Sequence, residues 1–305
     1  MVLPHTKDVL CKKALILGAR GQLAGALRRA TPEGVEVVAL ERAQLDICDE
    51  ASIRSILEQY RPDVVWNGAA FNAVDRAQSL EGAREAMHIN ALGPTMLALA
   101  CRDYDVRLVH FSTDFVFDGR KTTPYLEDDA TNPLSIYGAS KLAGERAVLA
   151  ASPRHLAIRV QRLFGPMVDT TTGSGSAAKP GGNFPFLMLR LGSERDCVRV
   201  VDDQIGTPTY NPDLARASWQ LLEGSEGGLF HLSNAGEVSF ADYAETIFRI
   251  KGVSCKVERI SSQLYGAPAA RPLYSTFSNQ KAHSCGVEPL RSWDAALREF
   301  LDNYA

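Results

Sequence analysis

The fold of this chain is decided by the stretch Ala14-Leu-Ile-Leu-Gly-Ala-Arg-Gly-Gln-Leu-Ala24. An apolar run breaks at Gly18, and residues of helical composition follow from Gln22 to Arg29. Between them lies a G-x-x-G-x-x-[G/A] loop. Glycines let a backbone turn tightly and approach a phosphate, and a helix N-terminus offers N–H groups and a favourable dipole to an anion. The stretch therefore predicts the phosphate loop of a dinucleotide-binding fold, an ordinary glycine turn being the alternative.

The same alternation continues along the first half of the chain. Further apolar runs predict strands at 35–40, 63–66, 106–111 and 155–160. Helical patterns predict helices at 50–60, 81–102 and 137–151. Alternating strands and helices with apolar strands are typical of a parallel sheet covered on both faces, joined by right-handed crossovers. We therefore predict an α/β fold with a doubly wound parallel sheet.

Regularity falls after Gly165. The segment 170–182 is rich in Thr, Gly, Ser and Ala, which predicts a mobile loop or lid. Later patterns predict helices at 184–191, 212–222, 240–250 and 292–303, and strands at 198–201 and 229–232. We expect residues 1–165 to form a dinucleotide-binding domain and 166–305 to form mainly a substrate-binding region, with some segments returning to the first domain.

Composition excludes several classes of function. The chain has 305 residues, 45% of them hydrophobic, and a net charge of -3, which gives no electrostatic reason to expect a nucleic acid or a membrane surface as partner. No apolar run approaches the roughly 20 residues that cross a bilayer. Residues 1–12 lack the apolar core of a signal peptide, so a cytoplasmic location is expected. The six cysteines and six histidines form no metal-binding motif, so no metal is expected.

The candidate catalytic residues are Thr113, Tyr137 and Lys141. Tyr137 and Lys141 lie one turn apart on one helix face, and a neighbouring ammonium lowers the pKa of a phenol, which makes Tyr137 an acid for a carbonyl being reduced. Thr113 follows the predicted fourth strand, and the carboxyl ends of parallel strands face the ligand crevice. Its hydroxyl would bind the carbonyl oxygen. A surface helix pair and a capped turn are the alternatives.

The cofactor signals at the end of the second strand conflict. Glu41 favours NAD through the ribose hydroxyls, whereas Arg42 can pair with the extra phosphate of NADP, so NADPH is slightly preferred and NADH stays open. Asn90 either bridges backbone groups and a proton-relay water or satisfies a local kink. The candidate cofactor-binding residues are Gly18, Arg20, Gly21, Gln22, Leu23, Arg42, Asp46, Ile47, Ala69, Ala70, Asn90 and Lys141.

Several longer motifs resemble those of dTDP-4-dehydrorhamnose reductases, which are extended short-chain dehydrogenases with a Rossmann-like fold. Ser112-Thr-Asp-Phe-Val-Phe-Asp-Gly119 is similar to their S-T-D-Y-V-F-D-G, with Phe115 in place of Tyr. Asn67 to Asp75 resembles N-x-A-A-Y-T-x-V-D, and Tyr137 to Glu145 matches Y-G-x-[ST]-K-L-x-G-E. Asp203 to Thr209 matches D-Q-x-G-x-P-T, and Arg271-Pro-Leu-Tyr-Ser275 matches R-P-x-x-S. The resemblance therefore covers nearly the whole chain.

The resemblance implies an NAD(P)H-dependent oxidoreductase that reduces the 4-keto group of a nucleotide-linked deoxysugar, above all dTDP-4-dehydro-L-rhamnose to dTDP-L-rhamnose. It implies that Tyr137 donates the proton, that Lys141 positions the ribose and tunes Tyr137, and that Thr113 orients the carbonyl. A homodimer stays open. The substrate-binding residues that it implies are Val74, Asp114, Phe115, Arg162, Gln204 and Thr209.

The chain departs from the family pattern in three places. Arg162 stands where an aromatic residue usually flanks the sugar, and it would stack on the ring or pair with a phosphate or an acidic group. Gln78 replaces a common Glu, and the segment 170–182 looks like an insertion. The alternatives are therefore a reductase or epimerase of another nucleotide sugar, or a non-catalytic dinucleotide-binding subunit like the regulatory subunit of methionine adenosyltransferase.

Overall fold

The computed structural model describes residues 11–166 and 183–305, so the predicted loop at 170–182 lies outside the described residues. A parallel sheet of six strands lies at the centre, in the order β10-β5-β4-β3-β1-β2. Its strands are β1 (Lys13–Leu17), β2 (Glu36–Leu40), β3 (Val64–Asn67), β4 (Arg107–Thr113), β5 (Leu156–Val160) and β10 (Gly228–His231). The first five strands lie within two residues of their predicted bounds, because strands buried on both faces form continuous apolar runs.

Helices cover both faces of this sheet, which confirms the doubly wound fold. Leu27 of α1 and Leu221 of α7 pack on one face, and Leu57, Leu97 and Val148 of α2, α4 and α5 pack on the other. The helices are α1 (Gln22–Arg29), α2 (Glu50–Tyr60), α3 (Leu80–Met87), α4 (Gly93–Asp103), α5 (Ile136–Ala151) and α7 (Asn211–Gly224). Both α7 and β10 come from the second half of the chain, so that half contributes a helix and an edge strand to the first sheet.

A second hydrophobic core lies beside the carboxyl ends of the strands. Phe164, Tyr243 and Phe300 are buried at its centre. The helices around it are α6 (Phe184–Glu194), α8 (Phe240–Lys251) and α11 (Trp293–Tyr304). Short strands pair in twos: β7 (Cys197–Val201) with β12 (Lys256–Ile260), β8 (Ile205–Gly206) with β11 (Val238–Ser239), and β6 (Leu163–Phe164) with β9 (Thr209–Tyr210). Two short helices complete the described part, α9 (Ser262–Tyr265) and α10 (Gln280–Ser284).

The helix predicted at 81–102 has a π-helical turn in its middle, which the sequence analysis did not predict. The turn covers His88–Leu92 and separates α3 from α4. It brings the carbonyl oxygen of Asn90 so close to α5 that a Cβ on Gly144 would lie 2.0 Å from it. Such turns often occur at functional sites. Here the turn and Gly144 together set the distance between α5 and its neighbour.

Candidate active site

The phosphate loop has the geometry that a pyrophosphate needs. Gly18 has a φ of 75°, and a Cβ there would lie 3.0 Å from the backbone of Gly68 and Ala69. The N–H of Gly21 donates to the carbonyl of Gly18 at 2.8 Å, which closes the turn. Gly21 caps α1 without a side-chain hydrogen bond, and the first turn of α1 carries no acidic residue. A helix N-terminus of this kind favours an anion, so the loop fits a dinucleotide.

Neighbouring side chains fix the walls of this loop. Leu23 packs against the hydrophobic core, and the Gln22 side chain accepts a hydrogen bond from Asn211 at 3.2 Å. After β3, the N–H of Ala69 donates to the Asn67 side chain at 3.1 Å, and Ala70 follows half-buried. The structure therefore brings the ends of β1 and β3 together at the loop.

Two arginines form ion pairs near the end of β2. Arg20 forms an ion pair with Glu41 at 2.5 Å, and Arg42 pairs with Asp46 at 3.3 Å. The Arg42 side chain is 73% exposed, so it can leave Asp46 for a stronger anion. Of the two neighbouring residues predicted to flank the adenine, Ile47 is buried in the core and Asp46 is half-buried. Because Glu41 already has a cationic partner, the positive side chain that this end of the sheet presents to solvent is that of Arg42.

Asn90 bridges groups of the protein. Its Oδ1 accepts from the N–H of Phe71 at 2.8 Å, and its Nδ2 donates to the Phe71 carbonyl and to the Ser140 hydroxyl, both at 3.0 Å. Ser140 lies on α5 and donates in turn to the carbonyl of Tyr137 at 2.7 Å. The structure thus favours the bridging interpretation, in which Asn90 ties the loop after β3 to the helix that carries Tyr137. A contact of Asn90 with the cofactor stays a prediction.

The structure brings Thr113, Tyr137 and Lys141 together between β4 and α5. The Tyr137 hydroxyl donates to the Asn72 side chain at 3.4 Å and also interacts with Thr113. The Lys141 ammonium donates to the carbonyl of Phe111 on β4 at 2.5 Å. All three predicted catalytic side chains are buried. The set therefore lies at the carboxyl end of the central sheet, as predicted.

The start of α5 explains how Tyr137 reaches Thr113. The Ser135 hydroxyl accepts from the N–H of Gly138 at 3.1 Å, and the Gln78 side chain accepts from the N–H of Ile136 at 3.0 Å. A Cβ on Gly138 would lie 2.3 Å from the carbonyl oxygen of Phe115. Only glycine allows this approach, so Gly138 lets α5 press against the turn that follows Thr113.

The electrostatics of Tyr137 differ from the prediction. Burial raises the pKa of Tyr137, the negative charge of Asp114 raises it further, and the hydrogen bond to Thr113 opposes both. Burial lowers the pKa of Lys141 to about 8, and Glu145 opposes that shift. The net shift of the Tyr137 pKa is therefore upward, because desolvation outweighs the other contributions, and a lowering contribution from Lys141 stays a prediction. Tyr137 stays protonated at neutral pH, as a proton donor must.

Four of the six predicted substrate-binding residues fall into two groups. Phe115 lies edge-on to Tyr137 with ring centroids 5.4 Å apart, and Val74 packs into the same small apolar cluster. Gln204 and Thr209 are buried and bond within the protein: Gln204 donates to Ser262 at 2.8 Å and Thr209 donates to the carbonyl of Thr207 at 3.3 Å. The first group therefore borders the reacting phenol, whereas the polar atoms of the second group have protein partners.

Asp114 and Arg162 occupy the ends of neighbouring strands. Asp114 is 5% exposed and accepts from the Thr113 hydroxyl at 3.0 Å. Arg162 donates to the carbonyls of Val238 and Gln204 at 2.8 and 2.9 Å. The sequence predicted that this guanidinium would stack on a sugar or pair with a phosphate or an acidic group. Two backbone carbonyls and the ring of Phe240, 4.0 Å away, hold it in place, and Asp114 is an acidic group that acts on it. Its contacts with a sugar or a phosphate stay predictions.

Sequence analysis missed a buried ion pair beneath the site. Glu145 and Arg159 are fully buried and joined by two hydrogen bonds of 2.7 and 2.9 Å, and the Ser112 hydroxyl donates to Glu145 at 2.6 Å. Glu145 is the last residue of the motif that begins at Tyr137, but the motif alone did not predict a role for it. A charge on the same helix face as Lys141 was the available signal.

Metal-site clusters and membrane-spanning helices are both absent from the described residues, 11–166 and 183–305. No cluster of His, Cys, Asp and Glu there has the arrangement of a metal site. None of the helices in those ranges is long and apolar enough to cross a membrane.

Comparisons with known proteins agree with this geometry. A family model described as the RmlD substrate binding domain matches residues 12–305. The dTDP-4-dehydrorhamnose reductase of Mycolicibacterium smegmatis is 38% identical, over 96% of this chain and 86% of the relative. The dTDP-4-keto-6-deoxy-D-glucose reductase of Streptomyces niveus is 37% identical, over 93% and 95%.

One of the similar solved structures contains a dinucleotide. The dTDP-4-dehydrorhamnose reductase of Bacillus anthracis, determined in complex with NADP, is 33% identical over 95% of this chain and 99% of that one, with a TM-score of 0.87. Similarity of this extent covers both the half of the chain that forms most of the central sheet and the second core. The chain therefore belongs to the RmlD substrate binding domain family.

Proposed function

We propose that this chain uses NAD(P)H to reduce the 4-keto group of a dTDP-linked deoxysugar, converting dTDP-4-dehydro-L-rhamnose to dTDP-L-rhamnose. The observation that carries the proposal is the buried set of Thr113, Tyr137 and Lys141 at the carboxyl end of the sheet, the same end that carries a loop fitting a pyrophosphate. The names of the relatives from Mycolicibacterium smegmatis and Bacillus anthracis support the same substrate.

The three side chains divide the work of the reaction. The bound dinucleotide supplies a hydride to C4 of the sugar. Tyr137 gives its phenolic proton to the carbonyl oxygen, so the ketone becomes an alcohol. Thr113 holds that oxygen beside the phenol once its hydroxyl proton turns from Asp114 to the oxygen. Lys141 stabilises the phenolate that Tyr137 leaves behind, because its ammonium is buried on the same helix face. Lys141 also holds the ribose hydroxyls of the nicotinamide half.

NADPH is the preferred cofactor in this proposal. Arg20 occupies the carboxylate of Glu41, and the exposed Arg42 is free to exchange Asp46 for a phosphate. An arginine binds a phosphate through two parallel hydrogen bonds, which the ribose hydroxyl of NADH cannot provide. The other predicted contacts with the dinucleotide stay predictions.

The decisive assay follows nicotinamide absorbance with purified protein, dTDP-4-dehydro-L-rhamnose, and either NADPH or NADH. Sugar-dependent oxidation, faster with NADPH, is the expected result. Bound NADPH without oxidation would contradict the proposal and would favour the non-catalytic dinucleotide-binding subunit instead.

A second substrate is supported by a specific observation. The relative from Streptomyces niveus is named a dTDP-4-keto-6-deoxy-D-glucose reductase, and it is nearly as similar as the rhamnose-forming relatives. Offering both 4-keto sugars and identifying the products by NMR separates the two candidates. The sugar that gives the larger kcat/KM is the preferred substrate. A cytoplasmic location and a homodimer stay predictions, which cell fractionation and light scattering test.

A further inference from the structure

Asn72 contacts the phenol of Tyr137 and is itself open to solvent. The Tyr137 hydroxyl donates to the Asn72 Oδ1 at 3.4 Å, which is long for a hydrogen bond between two oxygens, so the bond is weak. The Asn72 residue is exposed, whereas Tyr137 is only 7% exposed. A sugar ketone that reaches the phenol therefore also meets Asn72, and it displaces a bond that is easily given up.

The loop of residues 71–75, which carries Asn72, is fixed at both ends. At its start, the Asn90 side chain binds both the N–H and the carbonyl of Phe71, at 2.8 and 3.0 Å. At its end, Asp75 accepts a hydrogen bond from the Arg271 guanidinium at 2.9 Å. These partners come from distant parts of the chain. They hold the backbone on either side of Asn72, while its exposed side chain can still turn.

The carboxamide of Asn72 is a departure from the motif that this loop resembles, which has Thr at the same position. Once the phenol donates to a sugar ketone instead, the Asn72 Oδ1 needs another donor. A 4-keto-6-deoxysugar has two ring carbons next to the ketone: C3 carries a hydroxyl group and C5 carries a methyl group. Of these two substituents, only the C3 hydroxyl can donate a hydrogen bond.

We propose that Asn72 is a specificity-determining residue, whose Oδ1 leaves the Tyr137 phenol and accepts a hydrogen bond from the C3 hydroxyl of the bound 4-keto sugar. The phenol turns to the ketone and the C3 hydroxyl replaces it at Asn72, so each group keeps a partner. The two candidate sugars have opposite configurations at C3 and C5, so a contact with the C3 hydroxyl discriminates between them. This inference rests on the proposed function, because it concerns how the same site selects its sugar.

The test is a cycle that removes the residue and the hydroxyl in turn. It compares kcat/KM of the wild type and Asn72→Leu for dTDP-4-dehydro-L-rhamnose and for its 3-deoxy analogue. Leucine is close to asparagine in size but forms no hydrogen bond. Removing the C3 hydroxyl should cost the wild type about 3- to 10-fold more than it costs Asn72→Leu, which is the size of one neutral hydrogen bond. Equal losses in the two proteins would overturn the proposal.

A second variant separates hydrogen bonding from structure. Asn72→Asp keeps an acceptor oxygen, so it should keep the wild-type sensitivity to the C3 hydroxyl, although its charge beside the phenol slows the reduction of both sugars. A merely structural role of Asn72 would lower kcat/KM equally for both sugars in every variant. Asn303→Leu is the matched control: Asn303 is an exposed asparagine of α11, and its replacement should leave both values unchanged.

The outcomes distinguish this inference from the proposed function. NADPH oxidation by the wild type, with the same sensitivity to the C3 hydroxyl in Asn72→Leu, refutes the inference alone. If the wild type oxidises NADPH with neither sugar, the proposed function fails, and calorimetry still tests Asn72. It compares the binding of dTDP-L-rhamnose and its 3-deoxy analogue to the proteins with NADP bound. A loss of affinity without the C3 hydroxyl in the wild type and Asn72→Asp, but not in Asn72→Leu, supports the inference, and equal losses overturn it.

Discussion

Replacing Glu145 with Gln should strongly lower the free energy of unfolding, because it removes one charge of a buried ion pair. Glu145 accepts three hydrogen bonds, two from Arg159 and one from Ser112, and both ionic side chains are fully buried. The neutral amide leaves the buried guanidinium of Arg159 with His231 and the ring of Phe117 as its contacts, neither of which carries a negative charge. The carboxyl group of Glu127 also acts on Arg159, but it forms no ion pair with it among the described residues.

The size of the effect follows from that burial. Leaving one charge of a buried pair without its partner costs about 3–5 kcal/mol, against a total stability of about 5–15 kcal/mol for a typical protein. The surface pair Glu50–Arg54 is a matched control, because its N–O distance of 2.9 Å equals that between Arg159 Nε and Glu145 Oε2. An exposed pair of this kind contributes about 0.3–0.5 kcal/mol.

Urea unfolding followed by circular dichroism measures both variants. We expect Glu145→Gln to lose about 3 kcal/mol or more and Glu50→Gln to lose less than about 1 kcal/mol. The Glu145→Gln/Arg159→Met double variant should recover part of the loss, since it removes the unpaired charge. Equal losses in the two single variants would refute the reasoning, as would a double variant that is less stable than Glu145→Gln.

Three further predictions concern the cofactor and the buried lysine. Gly18→Val should weaken NADPH binding, measured by fluorescence titration, about tenfold or more, because its Cβ would meet the backbone after β3. Gly34→Val is the control: Gly34 also has a positive φ, but a Cβ there would meet open space, so NADPH binding should stay unchanged. Arg42→Ala should weaken NADPH binding but not NADH binding, and equal losses would contradict the role of Arg42. The pKa of Lys141 is lowered from 10.5 to about 8, so between these values the unfolded chain holds a proton that the folded one lacks. The free energy of unfolding of the wild type should therefore rise relative to that of Lys141→Met as pH increases from about 8 to 10. Urea unfolding measures this difference at each pH, and a difference that does not change with pH would contradict the prediction.

The sequence predicted the central sheet because its strands are buried on both faces. Such strands are continuous apolar runs, and Gly18 and Thr113 follow two of them directly. The turn at His88–Leu92 was not predictable in the same way, since it depends on contacts of Asn90 with Phe71 and with a different helix. Local propensity carries no information about those contacts.

The candidate site was predicted by residue type but not by environment. The motifs place Tyr137 and Lys141 on one helix face, yet burial sets the direction of both pKa shifts. Arg162 stood out as a departure from the family pattern, but its partners Gln204 and Val238 lie 42 and 76 residues further along the chain. Which groups enclose a side chain is decided by tertiary packing, which a single sequence does not display.

The central claim is that Tyr137 donates a proton to a sugar ketone while NADPH is bound. It is tested most directly by following NADPH oxidation with dTDP-4-dehydro-L-rhamnose for the wild type and Tyr137→Phe, with NADPH binding to both proteins measured in parallel. We predict equal binding and a loss of about 10²- to 10⁴-fold in kcat for Tyr137→Phe, because only the phenolic acid is removed. Near-wild-type turnover in Tyr137→Phe would contradict the account.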